Sequence, residues 1–226
     1  MHVFKRYKLP ICIVILIVLN FVVIKLTKAD TKQVIQIEKQ ELKIISKEEI
    51  RQAKFEEVLN NNPSAKKHLG LGIPEVAATA IIICDSFKEE GLTIPTFMAI
   101  IEVESNFNPL AIRRARDGVT PESYGLMQVK ASTAMPLLSD MGYRWTPDVI
   151  LEPNINMRIG VSYLMFLHEK FKAFGLEGKN EFHISLLAYN RGTKSVIDSV
   201  RHGTAIPLTY LGKVKIASRK WEEAGF

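Results

Sequence analysis

The sequence has little from which a disulfide scaffold or a thiolate metal centre could be built. It holds two cysteines in 226 residues, Cys12 and Cys84, and they fall in different segments, so no cross-linked framework follows. It also lacks a basic excess where one would matter. The formal net charge is +6, but residues 1–27 carry +4 of it and residues 28–67 add +2. Residues 68–226 balance seventeen basic side chains against seventeen acidic ones. A nucleic-acid-binding domain needs concentrated positive charge on one face, so no nucleic-acid partner is expected. The third absence is alternation. No convincing run repeats with period two, and strands are expected to be few or none.

One long uncharged run is present. Leu9 to Ile24 is almost wholly aliphatic, broken by Pro10 and Asn20, with Lys5, Arg6 and Lys8 before it and Lys25 and Lys28 after it. The basic front end favours a cytoplasmic N-terminus with everything downstream exported. Its length is short for a membrane-spanning helix and long for a signal-peptide core, so both readings stay open. Thr27-Lys28-Ala29 is a poor cleavage site. An uncleaved anchor over residues 1–29 is the preferred reading, and secretion after cleavage the alternative. Residues 30–67 read as a charged helical stalk with sparse apolar positions such as Val34, Ile37, Ile44, Phe55 and Val58. Asn60-Asn61-Asn62-Pro63 ends it, and Glu41, Glu48 and Arg51 interrupt any coiled-coil seam.

Residues 68–226 form the expected globular part, a series of helices divided by glycine and proline. Pro74 suits the first turn of a helix with Val76, Ala77, Ala80, Ile81, Cys84 and Phe87 inward and Gly91 as its stop. Thr93 caps the next helix, and Asn154 is expected to cap a third. Glu181 to Arg191, Lys194 to His202 and Pro207 to Trp221 complete the set. The fold class that follows is all-α.

The most informative stretch is Ile100 to Pro109. Phe97, Ile100 and Ile101 precede Glu104 by seven, four and three residues, so all four share one helical face, while Glu102 points roughly the other way. A carboxylate on a core-facing stripe is costly to ionise, and the negative end of the helix adds to the cost. Both raise its pKa, as a general acid working near neutrality requires. The plain alternative is a half-buried glutamate satisfied by a neighbouring donor.

Four patterns then fall in order: Glu104-Ser105 with Asn108-Pro109; Ser123-Tyr124-Gly125-Leu126-Met127-Gln128; Asn154 through Leu164; and Ala188-Tyr189-Asn190-Arg191-Gly192. Together they resemble the catalytic domain of the SLT-type bacterial lytic transglycosylases, relatives of goose-type lysozymes, over roughly Pro74 to Trp221. The resemblance implies a lysozyme-like helical fold with Glu104 as catalytic acid and base. It implies that Ser105 supplies a hydroxyl near the substrate's acetamido group and that Gly125 lets backbone approach the sugar. Met127 and Gln128 would line the groove, Tyr189 would hydrogen-bond the acid, and Asn190 would tether loops around the site. The helix from Asn154 to Leu164 would be the one against which the catalytic helix packs. Tyr210 matches a family tyrosine that reaches the glycan, although the acidic residue usual before it is missing. Arg113, Arg114 and Arg116 replace a small-residue loop; they read as a solvated face, or as partners for acidic stem peptides.

Glycoside cleavage normally takes two carboxylates, and no second acid of comparable context is apparent, because Asp117 and Glu122 sit in a polar loop. The family chemistry implies an answer: the N-acetyl group of the muramyl sugar assists, and its C6 hydroxyl closes a 1,6-anhydro ring. That chemistry uses no metal or diffusible cofactor. The implied substrate is the peptidoglycan glycan strand, cut at the MurNAc–GlcNAc β-1,4 bond by a monomer anchored in the inner membrane. Its catalytic domain would lie in the periplasm or cell-wall space, and a role in an envelope-spanning assembly is compatible. The rivals are a lysozyme-like hydrolase and a non-catalytic glycan-binding scaffold.

Overall fold

The computed structural model describes residues 28–173 and 180–226. The apolar run Leu9 to Ile24 and its expected anchoring role lie outside the described residues. The chain divides into two units, Met1–Arg51 and Gln52–Phe226. Helix α1 (Lys28–Asn61) begins in the first of them. There Leu42, Ile44 and Ile50 are exposed, as their isolation among charged residues dictates.

In the second unit the pattern changes. Phe55 and Leu59 at the end of α1 are fully buried, and the Phe55 ring lies 4.7 Å from that of Phe226. Asn62 stops α1 and starts α2 (Pro63–Leu69), its side chain accepting from the backbone N–H of Ser64 and Ala65, both at 3.0 Å. A 3-10 turn at Gly70–Gly72 leads into α3 (Ile73–Ser86), with Pro74 in its first turn as expected. The stretch Pro63–Ser86 is long and apolar enough to cross a membrane, but half of its most apolar window is buried inside the unit, as a core helix would be.

Thr93 caps α4 (Ile94–Ser105), accepting from Thr96 N–H at 3.3 Å. The middle of this helix is apolar all round, and Phe97, Met98, Ala99, Ile100 and Ile101 are all fully buried. Burial of each large side chain stabilises the fold by about 1.5–3 kcal/mol, so α4 is the centre of the core. Three short strands follow: β1 (Ile112–Arg114), β2 (Pro121–Tyr124) and β3 (Val129–Lys130) form an antiparallel sheet in that order. The arginine-bearing segment, expected to be loop, is therefore half of a hairpin. Its turn is built by Asp117, which accepts from Val119 and Thr120 N–H at 2.9 and 2.8 Å, and by Gly118 at φ +68°.

The remaining elements are α5 (Ala131–Asp140), α6 (Pro147–Leu151), α7 (Pro153–Lys172), α8 (Asn180–Arg191), α9 (Thr193–His202) and α10 (Thr209–Glu223). Asn154 does not cap α7. Glu152 does, accepting from Ile155 N–H at 2.7 Å, because Pro153 occupies the first helical position and fixes the cap one residue before it. Asn154 instead accepts from the Thr79 hydroxyl at 2.8 Å and joins α7 to α3. The packing of α4 also differs from expectation. Helix α4 packs chiefly along α10, where Trp221 Nε1 donates to Glu102 at 3.0 Å, while α7 packs on α8 and α3.

One buried amide holds the sheet to α7. Asn156 is fully buried and donates to the carbonyls of Tyr124 and Ile150 at 2.9 and 2.8 Å, while accepting from Met127 N–H at 2.8 Å. Removing it would orphan three backbone groups. Asn156→Ala is expected to cost about 2–4 kcal/mol, lowering the thermal midpoint by roughly 5–12 °C in a calorimetric comparison with wild type.

Candidate active site

Glu104 occupies the last turn of α4, one residue before its end. The chain leaves the helix through Asn106 and Phe107, at φ +51° and +64°, both in the left-handed region that non-glycine residues rarely adopt. Burial of Phe107 and its ring contact with Trp221 at 5.6 Å hold that turn in place. The result is a helix end that stops abruptly, with the Glu104 side chain 4 % exposed at the base of a cleft. Burial raises its pKa, and the Tyr210 hydroxyl and the Arg113 guanidinium beside it pull partly back.

Three side chains face this carboxyl. Arg113, on β1, places Nη2 3.6 Å from Glu104 Oε2 while remaining 53 % exposed. The arginine segment is thus more than a solvated face. Tyr210, in the first turn of α10, is buried with its hydroxyl close enough to influence Glu104, yet the pair falls short of good hydrogen-bond geometry. Tyr189, on α8, was expected to bond the acid. Its hydroxyl donates instead to the Met127 carbonyl at 2.8 Å. Burial, and then the Glu104 charge, push the Tyr189 pKa well above its ordinary value, so the two groups are neighbours although the phenolic proton is committed elsewhere.

The cleft on the Tyr189 side has a volume of about 700 Å³ and is lined by Glu104, Arg113, Gln128, Tyr163, Tyr189 and Asn190 among others. Tyr163 and Tyr189 stand 5.7 Å apart and give it an aromatic wall. A second cavity of about 600 Å³ opens past Glu104 and reaches Pro207 and Tyr210. The acid therefore borders two hollows at once.

The other expected residues divide. Asn190 lines both cavities and is exposed, with no hydrogen-bond partner among the described residues, so it is open to a ligand and tethers nothing. Gln128 borders the cleft but is spent internally. Its Nε2 donates to the carbonyls of Ala111 and Gly125 at 3.1 and 2.9 Å, and its Oε1 accepts from Ser123 at 2.9 Å. Those bonds sustain its φ of +50°. Met127 does not line the groove. It is fully buried against Gly160, where any Cβ would come within 2.4 Å of its sulfur. Gly125 does not face the cleft either: a Cβ there would meet Asn156 at 2.4 Å, so the close approach it permits is to that amide. Ser105 bonds its own helix, donating to the Ile101 carbonyl at 3.1 Å.

Sequence reasoning missed Tyr163, Glu122 and Lys130 as cleft residues. Glu122, on β2, pairs with Lys130, on β3, at 2.8 Å, and Lys130 holds it below the usual carboxylate range. No cluster of three His, Cys, Asp or Glu side chains suited to a metal occurs among the described residues.

The raised Glu104 pKa has a consequence for stability. The folded chain holds this proton above the ordinary value of 4.5, where the unfolded chain has released it. Wild-type stability therefore falls as pH rises from 4.5 through the folded-state value. Glu104→Gln is free of that loss. Thermal melts between about pH 4 and pH 8 should show the variant gaining on wild type as pH increases.

Comparison with known proteins matches residues 83–205 to the Transglycosylase SLT domain. The membrane-bound lytic murein transglycosylase E of Buchnera aphidicola is 27 % identical over 151 residues, covering 63 % of this chain and 65 % of that protein. The membrane-bound lytic murein transglycosylase C of Pectobacterium atrosepticum is 30 % identical over 111 residues, or 47 % of this chain and 29 % of that protein. The chain thus spans less than two thirds of either relative. Among solved structures, an inactive mutant of the lytic transglycosylase Slt from Pseudomonas aeruginosa aligns with 23 % identity and a TM-score of 0.42, over 65 % of this chain and 21 % of that one. The family match takes in Glu104, the Gly125–Gln128 turn and the Tyr189-Asn190 pair, and on it this chain belongs to the SLT transglycosylase domain family.

Proposed function

We propose that the chain is a peptidoglycan lytic transglycosylase that cleaves the MurNAc–GlcNAc β-1,4 bond without water, with Glu104 as acid and then base. The observation that carries this reading is one nearly solvent-free carboxyl between two cavities, held by a cation and flanked by two phenols. Protonated Glu104 donates to the glycosidic oxygen, and the C1–O bond breaks. The substrate's N-acetyl oxygen supports the positive charge at C1. The Glu104 carboxylate then takes the proton of the C6 hydroxyl as that oxygen bonds to C1, closing the anhydro ring and restoring the acid.

The neighbours suit both halves of that cycle. Burial favours the protonated acid, and Tyr189, its own proton committed to Met127, does not oppose it by donating to Glu104. Arg113 and Tyr210 favour the carboxylate left after the first step. One group that must give and retrieve a proton needs both kinds of support, so that neither form is too stable. The membrane-bound relatives support an envelope location, and the basic residues before Leu9 support export of the catalytic part.

A second reading rests on Glu122, an ionised carboxylate bordering the same cleft, which could serve a hydrolase as the base that activates water. Lys130 occupies it in the structure, which weighs against that use. Glu104→Gln should retain the fold by circular dichroism and lose activity on purified sacculi by about three orders of magnitude. Glu122→Gln should stay within about threefold of wild type, since loss of an exposed ion pair costs little. Mass spectrometry of the wild-type digest should find 1,6-anhydromuramyl ends. Reducing muramic acid, together with an inactive Glu122→Gln, would transfer the assignment to the hydrolase.

A further inference from the structure

Trp221, in the last turn of α10, is buried and holds the chain on both sides of Glu104. Its Nε1 donates to Glu102 Oε2 at 3.0 Å, and its ring centroid lies 5.6 Å from that of Phe107, at an interplanar angle of 58°. Glu102 stands two residues before the acid and Phe107 three after it. Lys220 adds a longer contact to the same carboxylate, 3.4 Å from Oε1. Glu102, Phe107 and Trp221 line neither of the cavities at the acid. Glu102 and Trp221 border a separate one, of about 860 Å³, beside the junction of α1 and α2.

The grip falls where the backbone needs it. Asn106 and Phe107 are consecutive left-handed residues, a region that asparagine tolerates and a bulky phenylalanine keeps only where its surroundings enforce it. The Asn106 N–H still bonds the Glu102 carbonyl at 2.9 Å, so this turn is tied to the residue whose carboxylate Trp221 holds. Small rotations matter at such a place. A helical side chain ends about 5–6 Å from the axis, so twisting the last turn of α4 by about 20° moves the Glu104 carboxyl by about 2 Å. That forfeits the 3.6 Å approach to Arg113 and admits water to a group only 4 % exposed. Helix α10 supplies the fixed reference. Tyr210 and Trp221 are eleven residues apart, close to three whole turns, and so share one face of it. The same rod presents a hydroxyl to the acid and braces the turn that aims it.

Resting on the transglycosylase reading above, we propose that Trp221 is a positioning residue for the reaction: by gripping Glu102 and Phe107 it fixes the last turn of α4, and with it the direction in which Glu104 presents its proton. Trp221 touches no substrate in this role and acts only through the acid's own backbone. Of its two grips the ring against Phe107 is the stronger, because it restrains the residue whose backbone is least at ease. Glu102 is 22 % exposed and already has Lys220 and water as further partners.

The full chain in detergent, as wild type, Trp221→Phe and Trp221→Leu, provides the test. Phenylalanine keeps a ring against Phe107 and loses only the N–H, whereas leucine loses both grips. Trp221→Leu should lower kcat on soluble uncross-linked peptidoglycan strands by on the order of 100-fold, as a misplacement of about 1 Å does. KM should stay within about threefold, because no residue bordering the cleft has changed. The carbon-13 titration midpoint of Glu104 should fall towards 4.5 as water reaches it, moving the alkaline limb of kcat/KM to lower pH. Trp221→Phe should restore kcat to within about tenfold of wild type. Val76→Ala, a truncation of a buried side chain on α3, serves as the control: it should lower the melting temperature and leave kcat and the midpoint alone. A Trp221→Leu variant that behaves like this control would overturn the proposal, and so would one that raises KM with kcat unchanged. Should Trp221→Leu fail to fold, Phe107→Leu removes the same ring contact and decides by the same readouts. An unchanged midpoint in Trp221→Leu beside an active wild type would overturn the positioning role alone and leave the catalytic reading standing. A lowered midpoint beside a wild type that cleaves no strand would support the positioning of Glu104 and reject the catalytic reading.

Discussion

The structure depends on keeping one carboxyl group almost free of water at the end of its most buried helix. Nothing about a glutamate favours that position. Its charge is penalised by burial and by the carbonyl end of α4, and only the Arg113 guanidinium and the Tyr210 hydroxyl offset the penalty. The balance leaves the acid holding its proton more tightly than a glutamate in water. A group in that state suits the proton-donor role proposed for it.

Much of the surrounding architecture holds the sheet wall of that pocket in register. The sheet carries Arg113 to the acid, and the sheet is fixed by two amides. Gln128 ties Ala111, Ser123 and Gly125 together from within, and Asn156 reaches across from α7 to the same turn. Met127, wedged on Gly160, converts its own carbonyl into the acceptor that positions Tyr189. The strained backbone at Asn106, Phe107 and Gln128 lies on the segments that bracket the cleft, where such cost is usually tolerated for the geometry it enforces. Residues that look like sugar contacts in the sequence thus act one step back, by fixing the residues that border the cleft.

That distinction decides what was legible in the sequence. The helices followed from their glycine, proline and cap signals, and the burial of the Glu104 face from its place in line with Phe97, Ile100 and Ile101. Tyr189 was expected to bond the acid and donates to Met127 instead, because periodicity gives a side chain's face and not the acceptor its hydroxyl will choose. The sheet was invisible because strands of two to four residues are too short to show alternation. With it went the approach of Arg113 to Glu104, a contact set by register. Gly125 was legible as a glycine that permits close approach, while the approaching group, Asn156, comes from 31 residues away along the chain. The Glu152 cap could have been read from Pro153, whose place at the start of a helix assigns the cap to the residue before it.

The most direct test of this account is the titration of Glu104 itself. Carbon-13 NMR of the side-chain carboxyls, with the Glu104 signal assigned by its loss in Glu104→Gln, would follow its protonation in the folded wild-type chain. The account predicts a midpoint above the ordinary value of 4.5. A midpoint at or below 4.5 would mean that Arg113 and water outweigh burial, and a carboxylate so easily ionised could not be the proton donor described here.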